Sequence, residues 1–307
     1  MKAFIFPGQA SQYVGMGQDL YDKFALAREY FDKADDILGL DLKDTCFHGP
    51  EDKLIRTEYT QPAIFVHSVI IDALLKDAGI IPAIAAGHSL GEYSALVSAG
   101  VFTFEAGLRA VKLRSQLMQK CCDDNPGTMA AIVGLTFEQV KAVVDSIDGV
   151  SPANYNSPDQ VAITGTIQGV ETACAKLKTA GAKRTIMLAV SGAYHSPLMA
   201  YAKEKLAEYL DTAEFGDFGF PVVANVTGKP VDDPDEMKDL LIEQMTSPVL
   251  WYPGIESIHA FGISDFYEIG PGKVLQGLLK RSLDSGKYTS RGVDKAEHVN
   301  DLIGVKV

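Results

Sequence analysis

Apolar residues recur along this chain in two patterns, short continuous runs and longer stretches with helical spacing. The first run, Lys2–Phe6, predicts a buried strand that ends at Pro7 and Gly8. Beyond the next loop, apolar residues return every three or four positions and predict one helix that ends near Gly39. These apolar positions are Leu20, Phe24, Ala27, Phe31, Ala34 and Leu38.

Helices and strands continue to alternate up to residue 126. Pro62 predicts the start of a second helix, which stops at Gly79. An apolar strand at residues 80–86 is followed by a sharp turn and a helix at residues 92–99. Thr103 is well placed to cap the helix after that.

After Asn125-Pro126-Gly127 the order of the elements changes to β-α-β-β-α-β, which is typical of a ferredoxin-like unit. The strands are predicted at residues 129–133, 151–154, 161–164 and 184–190, and the helices at residues 137–147 and 170–180. The larger pattern resumes with a helix opened by Ser196 and Pro197. We therefore predict a large subdomain, residues 1–126 and 192–307, with a small ferredoxin-like subdomain, residues 127–191, inserted in it.

Length and charge narrow the class of protein. A chain of 307 residues with 47% hydrophobic residues can bury a full core. Its 28 basic and 40 acidic residues give a net charge of −12, which argues against a nucleic acid or an anionic membrane as partner. We expect a small-molecule substrate, or a protein partner that docks on a local basic patch.

Sequence features also indicate the compartment and the cofactor requirement. The N-terminal apolar run is too short for a secretory signal, and no stretch reaches the ~18 apolar residues of a membrane helix, so we expect a cytoplasmic protein. No Cys-x-x-Cys or zinc-ligand spacing occurs, which favours reduced thiols and no metal. Neither glycine-rich segment, at residues 15–17 or 270–273, matches a nucleotide-binding motif, and we expect no cofactor.

Gly87-His88-Ser89-Leu90-Gly91 is a G-x-S-x-G motif between a predicted strand and a predicted helix. That context is typical of a nucleophile elbow, a strained turn that exposes a serine above backbone N–H groups able to stabilise an oxyanion. A serine nucleophile needs a base, and His195 lies in a loop where the inserted unit rejoins the larger pattern. His88 is next to Ser89 and points away from it, so we expect it to shape the pocket.

Arg114 interrupts the apolar stripe of its predicted helix. A guanidinium that faces a core needs an anion, most simply a carboxylate in a bidentate pair. Three interpretations remain open: an internal Asp or Glu, a side chain that extends to water, or an anionic substrate near Ser89.

Several motifs, in order and nearly end to end, resemble the malonyl-CoA:acyl-carrier-protein transacylase family. They are Phe6-Pro7-Gly8-Gln9, Gln61-Pro62, the segment from Gly87 to Tyr93, Arg114, Ala193-Tyr194-His195-Ser196, the segment from Gln244 to Val249 and the segment from Gly270 to Leu275. The resemblance implies an α/β fold with an α/β-hydrolase-like large subdomain that contains a parallel sheet. It also implies an acyltransferase of fatty acid or polyketide synthesis that works as a monomer.

The resemblance implies a ping-pong transfer of the malonyl group. Ser89 attacks malonyl-CoA with His195 as base, and the phosphopantetheine thiol of acyl carrier protein then takes the malonyl group. Backbone N–H groups of Gln9 and Leu90 would form the oxyanion hole, and Arg114 would bind the malonyl carboxylate. The remaining site residues are Gln244, whose backbone carbonyl would orient the histidine, and His88 and Tyr194, which would line the pocket; Leu90 and Tyr194 favour malonyl over methylmalonyl.

Two other classes of function stay open. A serine esterase or lipase of α/β-hydrolase type shares the elbow but places its histidine near the C-terminus, and it does not require Arg114. A non-catalytic module that binds acyl carrier protein or CoA would keep the fold without an acyl-serine. Trapping of an acyl-serine would argue against the non-catalytic module, and failure to trap one would favour it.

Overall fold

A computed structural model describes residues 1–190 and 192–304 of this chain. The strands are β1 (Lys2–Phe6), β2 (Ile84–Gly87), β3 (Gly127–Val133), β4 (Val150–Ser157), β5 (Gln160–Thr166), β6 (Arg184–Met187), β7 (Val222–Ala224), β8 (Lys229–Val231), β9 (Asp265–Ile269) and β10 (Thr289–Val293). The helices are α1 (Gln18–Lys23), α2 (Ala25–Leu38), α3 (Leu42–His48), α4 (Glu51–Leu54), α5 (Thr57–Asp77), α6 (Gly91–Ala99), α7 (Phe104–Asp124), α8 (Phe137–Val144), α9 (Ile167–Thr179), α10 (Ala200–Leu210), α11 (Pro234–Gln244), α12 (Trp251–Ala260), α13 (Val274–Ser282) and α14 (Ala296–Ile303).

A six-stranded sheet with the order β10-β9-β1-β2-β7-β8 forms the centre of the molecule. All its strands are parallel except β8, which pairs antiparallel with β7. Along β1, Phe4 and Phe6 enter one apolar core, whereas Ala3 and Ile5 enter another. Burial on both faces explains why β1 is a continuous apolar run, and it establishes the α/β architecture.

The parallel pairing also determines where a site can form. β1 and β2 are in register, with Phe6 beside Gly87. Their carboxyl ends therefore lie at the same edge of the sheet, together with the end of β7. Loops at that edge are the usual ligand sites of α/β folds.

A separate four-stranded antiparallel sheet has the order β4-β5-β3-β6. Helices α8 and α9 cover it through a purely apolar core that includes Ile132, Val140, Ile163 and Val170. This is the β-α-β-β-α-β order that the sequence predicts. The predicted boundary at residue 191, and residues 305–307 of the large subdomain, lie outside the described residues, and the division into two subdomains stays a prediction.

Two sequence predictions about helices were wrong in detail. The single helix ending near Gly39 is two helices, because Phe24 between them is extended at φ −117° and ψ 129°. Phe24 still packs on the same core, so the apolar spacing hides the break. Helix α5 begins at Thr57 rather than Pro62, since the buried residues of its first turn, Thr57 and Thr60, are polar and apolar periodicity cannot reveal them.

The sequence did not predict six elements, namely α3, α4, α12, α14, β8 and β10. In the part of the chain that the structure describes, no helix combines the length and apolar content needed to cross a membrane.

Candidate active site

Ser89 lies in the turn between β2 and α6 with a left-handed φ of 52°. A Cβ at position 87 would come within 1.8 Å of the Gly91 carbonyl carbon, and a Cβ at position 91 within 2.1 Å of the Phe6 oxygen. Only glycine fits at these two positions. The turn therefore holds a strained serine at the carboxyl edge of the central sheet.

His195 faces Ser89 across the site. The Ser89 Oγ lies 2.8 Å from His195 Nε2, and His195 Nδ1 lies 2.9 Å from the backbone oxygen of Gln244. With Nδ1–H donating to that carbonyl, Nε2 is free to accept the serine proton. Burial, followed by the nearby charge of Arg114, lowers the pKa of His195 to about 3. The imidazole is thus neutral near pH 7, as a base must be.

Arg114 is completely buried on α7 and points at the serine. Its Nη2 donates to Ser89 Oγ at 3.0 Å and to Gln244 Oε1 at 2.9 Å, while Nη1 donates to Gln61 Oε1. All these partners are uncharged. Complete burial rules out the interpretation in which the side chain extends to water.

Among the described residues, no carboxylate forms an ion pair with Arg114. Glu92 is connected to it only indirectly, because the Gln244 side chain donates to Glu92 and accepts from Arg114. The cation therefore retains capacity for a further anion near Ser89.

Asn225, just past the end of β7, supports the elbow from the neighbouring strand. Its Oδ1 accepts the Ser89 N–H at 2.8 Å, and its Nδ2 donates to the Gly87 oxygen at 2.7 Å. Its own backbone N–H donates to Glu92 at 2.7 Å. These three hydrogen bonds hold the strained turn in one conformation.

The backbone N–H groups of Gln9 and Leu90 have no acceptor within the described residues. The Gln9 side chain is held at Oε1 by Thr57 Oγ1, 3.1 Å away, and by Gln61 Nε2, 3.4 Å away. The first turn of α5 thus positions the loop that follows β1.

A cavity of about 600 Å³ opens above Ser89. His88 and Tyr194 both line it, together with Gln9, Met118, Leu188 and His195. The His88 ring is fixed by Asn156 Oδ1, 2.8 Å from Nε2, and it packs against Trp251. His88 is therefore turned away from the serine and contributes a wall to the cavity.

Sequence reasoning missed Asn225, Glu92 and the Gln244 side chain as parts of the site. Asn225 follows a strand of the central sheet, a position that does indicate a ligand edge. Glu92 gave a weaker signal, a carboxylate inside an apolar helix. Across residues 1–190 and 192–304, no group of three or more His, Cys, Asp or Glu side chains is arranged to hold a metal ion.

The chain is similar in sequence and in structure to known acyltransferases. Residues 3–304 match the family described as acyl transferase domain. The chain is 44% identical over 283 residues to malonyl CoA-acyl carrier protein transacylase of Bacillus subtilis, covering 91% of this chain and 89% of that protein. It is similar to the solved transacylase of Synechocystis, with a TM-score of 0.91, 40% identity and coverage of 98% and 99%. It is also similar to a solved complex of a type II PKS acyl-carrier protein with its malonyl-transacylase, with a TM-score of 0.94, 40% identity and 99% of each chain covered.

Proposed function

This chain belongs to the acyl transferase domain family, and from that membership we propose that it is a malonyl-CoA:acyl-carrier-protein S-malonyltransferase. It moves the malonyl group to the phosphopantetheine thiol of acyl carrier protein and supplies extender units for fatty acid or polyketide synthesis. The observation that carries the proposal is the completely buried Arg114, which lies 3.0 Å from the oxygen of a histidine-paired serine.

In the first half-reaction, Ser89 attacks the thioester carbonyl of malonyl-CoA while its proton passes to His195 Nε2. The N–H groups of Gln9 and Leu90 stabilise the oxyanion of the tetrahedral intermediate. The carbon–sulfur bond then breaks, and the departing CoA sulfur takes the proton from His195. A malonyl ester on Ser89 remains.

The second half-reaction runs the same chemistry in reverse. The phosphopantetheine thiol gives its proton to His195 and attacks the ester, and Ser89 regains the proton as the carbon–oxygen bond breaks. One base therefore serves both steps.

His195 performs this role without an aspartate. The Gln244 carbonyl fixes the tautomer and the ring orientation, as an acid does in a Ser-His-Asp triad. Arg114 binds the malonyl carboxylate, and this pairing orients the thioester above Ser89. Leu90 and Tyr194 favour malonyl over the bulkier methylmalonyl group.

The proposal extends to organisation and location. The inserted unit at residues 127–191 acts as a separate small subdomain over the cavity, whose lining includes Leu188. The protein acts as a monomer in the cytoplasm. No two cysteines within the described residues form a disulfide, which suits a reducing compartment.

Intact-protein mass spectrometry tests this function. After mixing with malonyl-CoA, the protein gains one malonyl mass, which acyl carrier protein removes. Ser89→Ala remains folded and gains no mass, because alanine fits the turn but offers no nucleophile. Ser94→Ala, which changes a buried serine of the helix that follows the turn, is the matched control and retains acylation.

A malonyl adduct on Ser89→Ala would refute the assignment of the nucleophile. Loss of the adduct to water as fast as to acyl carrier protein would instead support an esterase. Absence of any adduct on the wild-type protein would support a non-catalytic module.

A further inference from the structure

Glu92 is a buried carboxylate that takes no part in the chemistry above. It lies one turn after Ser89 on α6 and is 1% exposed. One oxygen accepts the backbone N–H of Asn225 at 2.7 Å, and the other accepts the side-chain amide of Gln244. Both oxygens are therefore occupied by groups that contact the site.

The Gln244 side chain connects Glu92 to the nucleophile and to the cation. Its Nε2 donates to Glu92 and also to the Ser89 backbone oxygen at 3.0 Å. Its Oε1 accepts from Arg114 Nη2 at 2.9 Å. A flipped amide would set its NH₂ group against the guanidinium and its oxygen against two acceptors.

We propose that Glu92 is a positioning residue for substrate selection: its carboxylate fixes the Gln244 amide in the orientation that aims Arg114 at the carboxylate of the acyl substrate. This inference rests on the proposed function, because it assumes that Arg114 binds the malonyl carboxylate. Glu92 acts through Gln244 and touches no substrate.

Glu92→Gln separates this role from simple support of the fold. A glutamine has nearly the same shape but only one oxygen, so it cannot accept from both Asn225 and Gln244. One of those donors then faces an NH₂ group, and the Gln244 amide loses its fixed orientation. Malonyl transfer depends on that orientation, whereas acetyl transfer does not.

The experiment measures acylation rates with malonyl-CoA and acetyl-CoA at pH 8. In Glu92→Gln the malonyl-to-acetyl ratio falls about tenfold, the effect of losing one hydrogen bond to a charged group. The matched control is Glu268→Gln, a buried glutamate that accepts from the Leu275 and Gln276 N–H groups. It loses thermal stability and keeps the wild-type ratio. An unchanged ratio in Glu92→Gln, with both rates lowered equally, would overturn the proposal.

The pH profile of the same ratio gives a second readout. Burial raises the pKa of Glu92 to about 7. The titratable groups that interact with it are Arg114 from α7 and Tyr93, its neighbour on α6, and neither changes charge between pH 6 and pH 8. The ratio therefore rises from pH 6 to pH 8 in the wild-type protein and is flat in Glu92→Gln. An identical rise in the variant would contradict the inference.

Gln244→Met tests the same connection from its other end and does not require Glu92→Gln to fold. Methionine keeps the backbone carbonyl that orients His195 and removes only the amide, so the ratio falls here too. Arg114→Ala separates the two proposals. If it leaves the ratio unchanged, the proposed carboxylate site fails. If it collapses the ratio while Glu92→Gln and Gln244→Met do not, only the role of Glu92 fails.

Discussion

The core of the small antiparallel sheet and the edge of the central sheet are held together in opposite ways. The first is filled by aliphatic side chains such as Ile132, Ile163 and Leu177. The second buries Arg114 and Glu92 together with the polar side chains of Gln61, His195 and Gln244. Close packing of apolar side chains stabilises the small core. At the edge of the central sheet, burial of polar groups costs free energy, and hydrogen bonds hold those groups in fixed positions.

The pKa values of the two regions show the same contrast. At the sheet edge, burial raises the pKa of Glu92 and lowers the pKa of His195. Such shifts mean that the folded state disfavours the charged forms of these groups, which is common at catalytic sites. The fully buried side chains of the small core are all aliphatic, so none of them can titrate.

The largest effect is expected for His195→Ala. Loss of the base slows acylation of Ser89 by about 10²- to 10⁴-fold, because the serine hydroxyl needs a proton acceptor near pH 7. Rapid-quench mass spectrometry with malonyl-CoA measures the rate. His48→Ala, on the exposed end of α3, is the control and keeps the wild-type rate. Near-normal acylation in His195→Ala would move the base elsewhere, with His88 the next candidate.

Removal of a small-core side chain gives the opposite phenotype. Ile163→Ala loses about 2–5 kcal/mol of unfolding free energy, since a fully buried aliphatic group is removed from a packed core. The malonyl-to-acetyl ratio stays at its wild-type value. Urea unfolding and the two acylation rates check both parts. A changed ratio would mean that the two regions are coupled.

The stability of Glu92→Gln has a predictable dependence on pH. The pKa of Glu92 is raised from 4.5 to about 7 in the folded protein, so the folded state binds the extra proton between these values. The stabilisation of the folded protein by the protonated Glu92 carboxyl is complete below pH 4.5 and is lost as the pH rises through 7. The stability of the variant relative to wild type therefore increases by as much as about 3 kcal/mol across that window. A constant difference would contradict the shift.

The smallest effects are expected for substitutions that weaken the docking of acyl carrier protein. Acyl carrier proteins are generally acidic and this chain has a net charge of −12, so we expect docking on a basic patch. The candidates are the exposed residues Lys183, Arg184, Lys273, Lys280, Arg281, Lys287 and Arg291. Each charge reversal raises the KM for carrier protein by about two- to fivefold, more at low salt, and leaves acylation by malonyl-CoA unchanged. If every reversal is silent, docking is not electrostatic.

The two regions also differ in how much the sequence reveals. The small sheet was predictable because its apolar spacing is local and regular. The elbow was predictable from five consecutive residues, and Arg114 because it breaks an apolar stripe. The contacts of Asn225 and of the Gln244 side chain with Ser89 were not predictable, because these residues are separated from Ser89 by 136 and 155 positions in the sequence. No local pattern encodes such contacts, because they form only when β7 and α11 pack beside the turn that carries Ser89.

The central claim is that Arg114 recognises the malonyl carboxylate. It is tested most directly by the ratio of malonyl to acetyl acylation rates in Arg114→Ala, with the exposed Arg109→Ala of the same helix as control. We expect malonyl acylation to fall about 30- to 1,000-fold, the effect of a lost charge-assisted pair, while acetyl acylation persists or improves. Arg114→Lys recovers only part of the loss, because an ammonium lacks the two-donor fork. A parallel loss of both activities and of thermal stability, with the ratio unchanged, would contradict the account.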